Sequence, residues 1–356
     1  MFRPGRRSAR PADAAPAGPD VPAIRAVGVR KSYPGVEAVR GIDLTVEQGE
    51  TFGFLGPNGA GKTTTIAMLC TLALPTSGRI EIAGHDTRTA PGRVRRSLGL
   101  VFQETTLDGE LTAEENLRFH ADLYALPAVT VPERIDAMLA LVGLTERRRS
   151  LVRTFSGGMR RRLEIARGLL HHPRVLFMDE PTIGLDPQAR ALLWGHLREV
   201  REREATTLFL TTHYLDEAER CDRIAIIDDG SIVAQGTPAE LKSVLGADRV
   251  ELRTGDDASA ARALRDRFDL DVAIGPAGLC VRATDGARLV PLLCSGLDVP
   301  VYEVTVTRPS LDDVFLHHTG RRLRDDPAAA AAAGGSPAES SATPAVTAAA
   351  TAGGGS

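Results

Sequence analysis

The sequence predicts an α/β protein whose main part is a mostly parallel, doubly wound sheet, followed by a smaller α+β unit. Three observations support this class. Apolar runs of strand length alternate with segments of helical periodicity over about residues 23–245. The apolar strand Thr51–Leu55 runs through a glycine-rich turn directly into a helix. Weaker strand and helix patterns follow over about residues 248–318 and indicate the appended unit.

The elements of the first region follow one another as short strands and longer helical segments. Strands are predicted at Val36–Val46, Thr51–Leu55, Arg79–Ala83, Val175–Met178, Thr207–Thr211 and Arg223–Ile227. Helical patterning dominates Ala113–His172, and another helix is predicted over about Pro187–Arg203. Asp229-Gly230 lies between two apolar runs and predicts a hairpin, because this dipeptide suits a tight turn with positive φ angles.

The second region shows the same two kinds of pattern at shorter length. Its strands are predicted at Arg249–Arg253, Leu279–Val281 and Val301–Val306, and its helices near Ser259–Phe268 and Ala287–Leu293. The apolar residues of Leu311–Leu316 would suit a dimer contact. Residues 1–22, rich in Pro, Ala and Arg, and residues 326–356, rich in Ala, Gly and Ser, predict disordered tails.

Composition narrows the functional classes. The chain has 356 residues and a formal net charge of −3, which gives no reason to expect a general nucleic-acid binder. The four cysteines show no Cys-x-x-Cys spacing, so neither a disulfide framework nor a zinc site is expected, and a reducing cytosol fits. No run approaches the roughly 20 apolar residues of a membrane helix. If the protein serves transport, another chain must supply the pore.

A complete phosphate-binding loop is the strongest chemical signal. Glycines let the backbone curl so that successive N–H groups point at phosphate oxygens, and the following helix adds its positive end. Lys62 should reach the β- and γ-phosphates, and the Thr63 hydroxyl should ligate Mg²⁺. The strand before the loop and the helix after it argue against a chance glycine-rich turn. The predicted nucleotide contacts here are Gly56, Pro57, Asn58, Gly59, Ala60, Gly61, Lys62, Thr63 and Thr64.

Two carboxylates follow the apolar strand Val175–Met178, where parallel sheets place their ligand chemistry. Asp179 is expected to hold Mg²⁺ through its water shell, and Glu180 to polarise the attacking water as general base. A polar turn that merely ends a strand is the structural alternative. Asp228-Asp229 is a rival acidic pair, but the Asp-Gly turn makes a hairpin the better interpretation, so no catalysis is assigned there.

Ser156-Gly157-Gly158-Met159 precedes a helix and forms a second possible phosphate cradle, with one hydroxyl and bare backbone N–H groups. A simple helix N-cap with a flexible lead is an equally good interpretation of this segment alone. The run Arg160–Arg162 is expected to be a solvated face.

The order of these motifs resembles that of ABC-transporter ATP-binding subunits, and the resemblance covers about residues 23–320. It makes Gly56–Thr64 the Walker A loop and Val175–Glu180 the Walker B strand with its catalytic glutamate. It makes Ser156–Met159 the ABC signature, although the family's usual leucine is Phe155 here and its usual glutamine is Met159. The serine and both glycines, which face the phosphate, are intact.

The resemblance also assigns four single residues. Gln103 matches the Q-loop, which senses the γ-phosphate and the metal and touches the membrane partner. Asp186 matches the D-loop, and His213 matches the switch histidine that contacts the γ-phosphate. Tyr33 matches the aromatic side chain that stacks on adenine. Taken singly, each of these could be an ordinary solvated or packing residue.

The family's architecture and partners follow from the same resemblance. It implies a P-loop ABC nucleotide-binding domain with an antiparallel β subdomain and a helical insert at about 105–165 that docks on a polytopic permease. It implies ATP and Mg²⁺ as ligands, a head-to-tail homodimer with ATP at the interface, no nucleic-acid partner, and a peripheral position at the cytoplasmic face of the membrane. Leu107–Leu117 and Pro309–Leu316 resemble the daunorubicin-resistance exporter branch, which implies export of a hydrophobic compound.

Two alternatives stay open from the sequence. A soluble ABC ATPase that acts on DNA or ribosomes predicts tandem nucleotide domains, a coiled coil or a basic arm. A nucleotide switch without a transport partner would need neither Glu180 nor His213.

Overall fold

The computed structural model describes residues 21–246, 248–275, 278–283 and 285–321. The tails predicted at 1–22 and 326–356 lie outside these residues, apart from 21 and 22. The strands are β1 (Ile24–Tyr33), β2 (Val36–Val46), β3 (Thr51–Leu55), β4 (Ser77–Ile82), β5 (His85–Asp86), β6 (Leu98–Val101), β7 (Val175–Asp179), β8 (Thr207–Thr212), β9 (Arg223–Asp228), β10 (Ser231–Gly236), β11 (Asp248–Thr254), β12 (Val272–Gly275), β13 (Gly278–Ala283) and β14 (Val301–Thr307).

The helices lie between these strands and on both sides of the central sheet. They are α1 (Lys62–Leu69), α2 (Pro91–Ser97), α3 (Ala113–Leu123), α4 (Val131–Leu141), α5 (Gly157–Leu169), α6 (Pro187–Glu204), α7 (Leu215–Ala218), α8 (Pro238–Val244), α9 (Asp257–Phe268), α10 (Gly286–Gly296) and α11 (Leu311–Thr319). Two single turns of 3-10 helix, Thr145–Arg147 and Val152–Thr154, join α4 to α5.

The central sheet has six strands in the order β10-β9-β3-β8-β7-β6. All neighbouring pairs are parallel except β9 with β10, which form the hairpin predicted at Asp229-Gly230. Strands β3, β7 and β8 are buried at every residue, which is why they occur in the sequence as unbroken apolar runs. The predicted mostly parallel α/β sheet is confirmed, and its carboxyl ends meet at one edge.

A second, antiparallel sheet has the order β2-β1-β4-β5 and forms the predicted antiparallel β subdomain. It touches the central sheet at the β9–β10 turn. The N–H of Arg40 donates to the carbonyl of Gly230 at 2.8 Å, and the N–H of Gly230 donates to the carbonyl of Ala60 at 3.1 Å. The hairpin turn therefore connects the antiparallel sheet to the glycine-rich loop.

The insert predicted at about 105–165 contains α3, α4 and most of α5. A capping box begins α3, since Thr112 and Glu115 each bind the other's backbone N–H. Buried aliphatic side chains of α3, α4 and α5, among them Leu117, Ile135 and Ile165, join the same core as β7 and β8. The insert is thus packed directly against the central sheet.

The appended unit contains β11, α9, β12, β13, α10 and β14, with the sheet order β12-β13-β11-β14. This βαββαβ order is the ferredoxin-like arrangement, with both helices packed on the sheet. Its small core, which includes Val250, Leu264 and Leu293, is separate from the cores of the main region. The predicted α+β unit is confirmed, and β12 is the strand that its sequence pattern missed.

Helix α11 packs on the main region instead of on the appended sheet. Leu311, Val314 and Phe315 are buried in the core cluster that also contains Leu241 of α8. The sequence suggested these apolar residues as a dimer contact, and that suggestion is wrong because they are already covered within one chain. No helix among the described residues is long and apolar enough to cross a membrane.

Candidate functional site

The glycine-rich loop joins β3 to α1 at the carboxyl edge of the central sheet. Gly59 and Gly61 have φ angles of 80° and 102°, a region that disfavours residues with a side chain. A Cβ at Gly56 would lie 2.3 Å from the carbonyl oxygen of Ile227, and one at Gly61 would lie 2.6 Å from that of Ala38. The loop can hold this shape only with glycine there, which fits a backbone cradle for phosphate.

Lys62 begins α1 and turns its ammonium group into the loop. Its Nζ donates to the carbonyls of Gly56 at 2.7 Å and Pro57 at 3.0 Å. It also lies 3.4 Å from Oε1 of Glu180. The side chain is buried, so this charge acts with little screening on anything that enters the loop.

Asp179 is fixed by two threonine hydroxyl groups. The Oγ1 of Thr63 donates to Oδ2 at 3.1 Å, and the Oγ1 of Thr211 donates to Oδ1 at 2.5 Å. Together with the side-chain amide of Gln103, which lines the cavity, these are hard oxygen donors of the kind that Mg²⁺ prefers. No cluster of three His, Cys, Asp or Glu that could hold a metal occurs among the described residues. A set with one carboxylate suits Mg²⁺, which keeps several waters and takes phosphate oxygens.

Glu180 follows β7 in a strained backbone conformation. Its φ angle is 46°, which costs a residue other than glycine of order 1–3 kcal/mol. Its N–H donates to Oγ1 of Thr211 at 3.0 Å, and its Oε1 lies 3.2 Å from Nδ1 of His213. Burial opposes ionisation, but His213 and the charge of Lys62 outweigh it and hold the pKa of Glu180 below its ordinary value. The carboxylate is therefore ionised at neutral pH.

Lys62, Thr63, Gln103 and Glu180 line one cavity of about 270 Å³, whereas Asp179 and His213 are not in its wall and contact it through Thr63 and Glu180. Its walls are Val36, Glu37, Ala38, Arg40, Asn58, Gly59, Gly61, Lys62, Thr63, Thr64, Gln103, Glu180, Asp229 and Gly230. The hairpin turn, to which the sequence assigned no catalysis, thus contributes to the wall, and Arg40 binds Asp229 at 2.5 Å between Nη1 and Oδ2. The sequence missed Arg40 and Glu37, because only the pairing of the two sheets brings them here.

Ser156, Gly157, Gly158 and Asp186, all in the described part of the chain, lie outside this cavity. Ser156 is the N-cap of α5, and its Oγ accepts from the N–H of Met159 at 3.2 Å. Asp186 is the N-cap of α6, and its Oδ1 accepts from the N–H of Ala189 at 2.8 Å. Within one chain both residues act as helix caps and are exposed to solvent.

Tyr33 ends β1 and is exposed, and its pairing partner across the hairpin is Val36, which lines the cavity. The Nζ of Lys31 lies 4.9 Å from the centre of the Tyr33 ring. The aromatic side chain is therefore beside the cavity, in contact with a cation and with solvent.

The run Arg160–Arg162 is not the solvated face that the sequence predicted. Arg161 is only 7% exposed, and its guanidinium binds main-chain carbonyls near the site. Arg160 donates to the carbonyl of Phe155 at 2.6 Å, and Arg162 to that of Val142 at 2.8 Å. Carbonyls at the ends of neighbouring segments draw these side chains inward, and no local pattern in the sequence reveals them.

The chain is similar in sequence and fold to known proteins. A model of the family described as ABC transporter matches residues 39–183. The chain is 41% identical to the daunorubicin resistance ATP-binding protein DrrA3 of Streptomyces coeruleorubidus over 311 residues, which cover 85% of this chain and 98% of that protein. It is 41% identical to the Nod factor export ATP-binding protein I of Ralstonia nicotianae over 87% of this chain and 98% of that protein.

Further similarity extends to another resistance protein and to solved structures. The linearmycin resistance ATP-binding protein LnrL of Bacillus subtilis is 37% identical over 85% of this chain and all of its own length. A solved ATP binding subunit of an ABC transporter superposes with a TM-score of 0.56 at 31% identity, covering 63% of this chain and 93% of that one. The dimeric post-hydrolysis structure of the ATP-binding cassette MJ0796 with ADP and Pi gives 0.55 at 26% identity, covering 60% and 98%.

Proposed function

Because the chain belongs to the ATP-binding proteins of ABC transporters and is an ATPase, we propose that it drives export of a hydrophobic compound through a separate permease. One observation carries the proposal: Lys62, Thr63, Gln103 and Glu180 converge on one cavity, with Asp179 bound to Thr63 behind it. The names of the relatives, which speak of drug resistance and Nod factor export, support export as the direction.

The predicted site residues in and around the cavity have the following roles in ATP hydrolysis on this proposal. The loop N–H groups and Lys62 bind the β- and γ-phosphates, and the ionised Glu180 accepts the proton of the attacking water. His213 and Gln103 contact the γ-phosphate, and Tyr33 stacks on the adenine. Thr63, Asp179 and Gln103 hold Mg²⁺, which when bound neutralises charge on the phosphates.

The two exposed helix caps suggest why a second copy is needed. Ser156 presents its hydroxyl group to solvent at the N-terminus of α5, and Asp186 presents its carboxylate at the N-terminus of α6. Both lie outside the cavity of their own chain. In a head-to-tail pair, the Ser156–Gly158 segment of each copy would cover the nucleotide on the Lys62 loop of the other. ATP binding would close the pair, and hydrolysis with product release would reopen it. The dimeric form of the solved MJ0796 cassette supports pairing.

The permease is proposed to dock on the helical insert. A groove of about 300 Å³ lies there, between α3 and α5, and Thr106, Asn116 and Arg167 give it polar walls. Phe119 and Leu123 also line it, are 60% and 65% exposed, and lie one helical turn apart on α3, so they form one apolar patch. An amphipathic cytoplasmic segment of a membrane protein has the chemistry to cover such a surface. On this proposal the chain lies at the cytoplasmic face of the membrane.

Purification from detergent-solubilised membranes tests the proposal. We expect a stoichiometric polytopic membrane protein to copurify with the chain, and the reconstituted pair to export a hydrophobic drug only with ATP. Phe119→Asp should remove that partner, whereas Val129→Asp, at an 84% exposed apolar residue of the same insert outside the groove, should retain it. Absence of a membrane protein from the purified material would favour a soluble ABC ATPase or a nucleotide switch.

A further inference from the structure

We propose that Arg161 is a positioning residue that holds Glu180 in place for hydrolysis and ties it to the Gln103 segment. This inference rests on the role proposed above for Glu180. Arg161 lies in α5, 18 residues before Asp179 in the sequence, and nothing in its local pattern marks it as part of the site.

The guanidinium of Arg161 brackets Glu180 on the main chain. Its Nη2 donates to the carbonyl of Asp179 at 3.0 Å, and its Nε donates to the carbonyl of Pro181 at 2.7 Å. These two carbonyls belong to the residues directly before and after Glu180. Because Glu180 has a φ angle of 46°, its backbone would relax toward a commoner conformation unless its neighbours held it. The planar fork of arginine can hold both carbonyls at once.

The same side chain reaches the segment that carries Gln103. Its Nη1 donates to the carbonyl of Phe102, directly before Gln103. It also donates at 3.1 Å to Oε2 of Glu164, one turn further along α5. The other oxygen of Glu164 accepts from the N–H of Thr106 at 2.8 Å. Arg161 and Glu164 therefore hold both ends of residues 102–106.

Arg161 and Glu164 join α5, the 102–106 segment and the turn at Glu180, and the proposed function needs these three segments to move together. The 102–106 segment continues into the groove proposed for the permease, since Thr106 lines it. The same guanidinium also binds the turn at Glu180, through the carbonyls of Asp179 and Pro181. A shift of α5 or of the groove is thus transmitted to the carboxylate that accepts the proton. Misplacing a catalytic group by about 1 Å can cost roughly 100-fold in rate.

A second buried arginine–glutamate pair offers a matched control. Arg134 donates to the carbonyls of Leu169 and Leu170 and pairs with Glu204 at 2.9 Å. Like Arg161 it lies on the insert, is buried, and combines carbonyl bonds with a carboxylate. Its described side-chain contacts are at the C-terminal ends of α5 and α6, and none of these residues lines the nucleotide cavity.

The experiment replaces each pair by apolar residues of similar size, which avoids leaving one buried charge alone. The full-length chain carries Arg161→Met with Glu164→Leu, or Arg134→Met with Glu204→Leu, and a third variant carries Arg161→Lys. For each we would measure thermal unfolding, ATP affinity, and turnover at saturating Mg²⁺-ATP. The first pair of substitutions is then repeated in a Glu180→Gln background by single-turnover hydrolysis of radiolabelled ATP.

We expect the Arg161/Glu164 variant to lose about 100-fold in kcat with ATP affinity within about threefold of the parent, because the Lys62 loop is untouched. The Arg134/Glu204 variant should keep the parental kcat. Arg161→Lys should remain folded but not recover turnover, since one ammonium group cannot bracket both carbonyls. In the Glu180→Gln background the Arg161/Glu164 change should add no further loss, because it acts through Glu180.

Three outcomes would overturn the inference: parental kcat in the Arg161/Glu164 variant, an equal loss in the Arg134/Glu204 control, or a further loss of about 100-fold in the Glu180→Gln background. Failure of the proposed function looks different. In that case Glu180→Gln alone would hydrolyse ATP at the parental rate.

Discussion

The Nζ of Lys62 lies 3.4 Å from Oε1 of Glu180, and both side chains are buried. The cation of the phosphate loop and the carboxylate at the end of β7 therefore form an ion pair inside the candidate site. Burial raises the pKa of Glu180, but the hydrogen bond with His213 and this ion pair together hold it below its ordinary value and keep the carboxylate ionised. The ion pair also means that neither residue can be removed without leaving the other as a buried charge that has lost a compensating partner.

Lys62→Ala should weaken ATP binding and abolish hydrolysis, because phosphate charge would lose its main counter-charge. The same change should raise the pKa of Glu180, since the charge of Lys62 is one of the causes that lower it. Titration calorimetry with ATP would measure the loss of binding, and a phosphate-release assay would measure the loss of hydrolysis. Lys242→Ala, which removes only an ion pair with Glu219 on the surface, is the control. Wild-type turnover in Lys62→Ala would refute the phosphate-loop assignment.

Ser156→Arg should block hydrolysis but leave ATP binding to the monomer intact, because Ser156 lies outside the cavity of its own chain. Mixing it with Lys62→Ala gives mixed dimers with one site that carries both defects and one that carries neither. Partial recovery of turnover in the mixture would support the head-to-tail arrangement. Loss of ATP binding in the Ser156→Arg monomer would speak against it.

His171 makes stability depend on pH in the acidic range. Burial lowers its pKa to about 4, and an unfolded histidine titrates near 6.5. Between these values the unfolded chain binds more protons than the folded one, so stability should fall as pH drops from about 6.5 to about 4. His171→Gln can still donate to the carbonyl of Leu98, which His171 Nε2 contacts at 2.8 Å. Its unfolding midpoint should vary less with pH over that window, and an unchanged slope would contradict the assignment.

Phe315→Ala should destabilise the main region by about 3–4 kcal/mol, because it opens a cavity in a core shared with α8. Tyr302→Ala, at a 73% exposed aromatic residue of β14, should change stability by less than about 0.5 kcal/mol.

Excising residues 248–307 should leave ATP binding intact. Excising residues 248–318 also removes α11, and this larger deletion should not leave ATP binding intact. Urea unfolding and titration with nucleotide would compare the stability and the ATP affinity of the two deletion variants. Equal values in the two variants would show that α11 is dispensable.

The sequence predicts the central sheet well because β3, β7 and β8 are buried on both faces and are continuously apolar. It misses β6, a four-residue strand at the edge of that sheet. It also misses β1, whose alternation is interrupted by three register shifts in its pairing with β2. It also misses β12, which has only four residues at the edge of its sheet. In such strands the pairing partner, and not the local pattern, determines the conformation.

The candidate site likewise contains residues that the sequence predicts and residues that it does not. Lys62, Thr63, Asp179 and Glu180 belong to contiguous motifs, so the amino-acid sequence alone is enough to predict them as site residues. Arg161 is different, because its two arginine neighbours share its local pattern and only the carbonyls that it binds determine which of the three is buried. Residues that support a site through main-chain contacts form no motif of fixed spacing, so they cannot be recognised in the amino-acid sequence.

Glu180→Gln tests the central claim most directly. The amide keeps the size of the carboxylate, so two copies can still close around Mg²⁺-ATP, but it cannot accept the proton of water. ATP that bridges both copies should then stabilise the closed dimer by mass action. Asp179→Asn should instead weaken the metal site and therefore closure.

Size-exclusion chromatography with Mg²⁺-ATP, combined with a phosphate-release assay, separates these cases. We predict a shift to a dimer without detectable steady-state turnover for Glu180→Gln, and little or no shift for Asp179→Asn. Hydrolysis by Glu180→Gln at the parental rate would contradict the account, because the general base would then lie elsewhere.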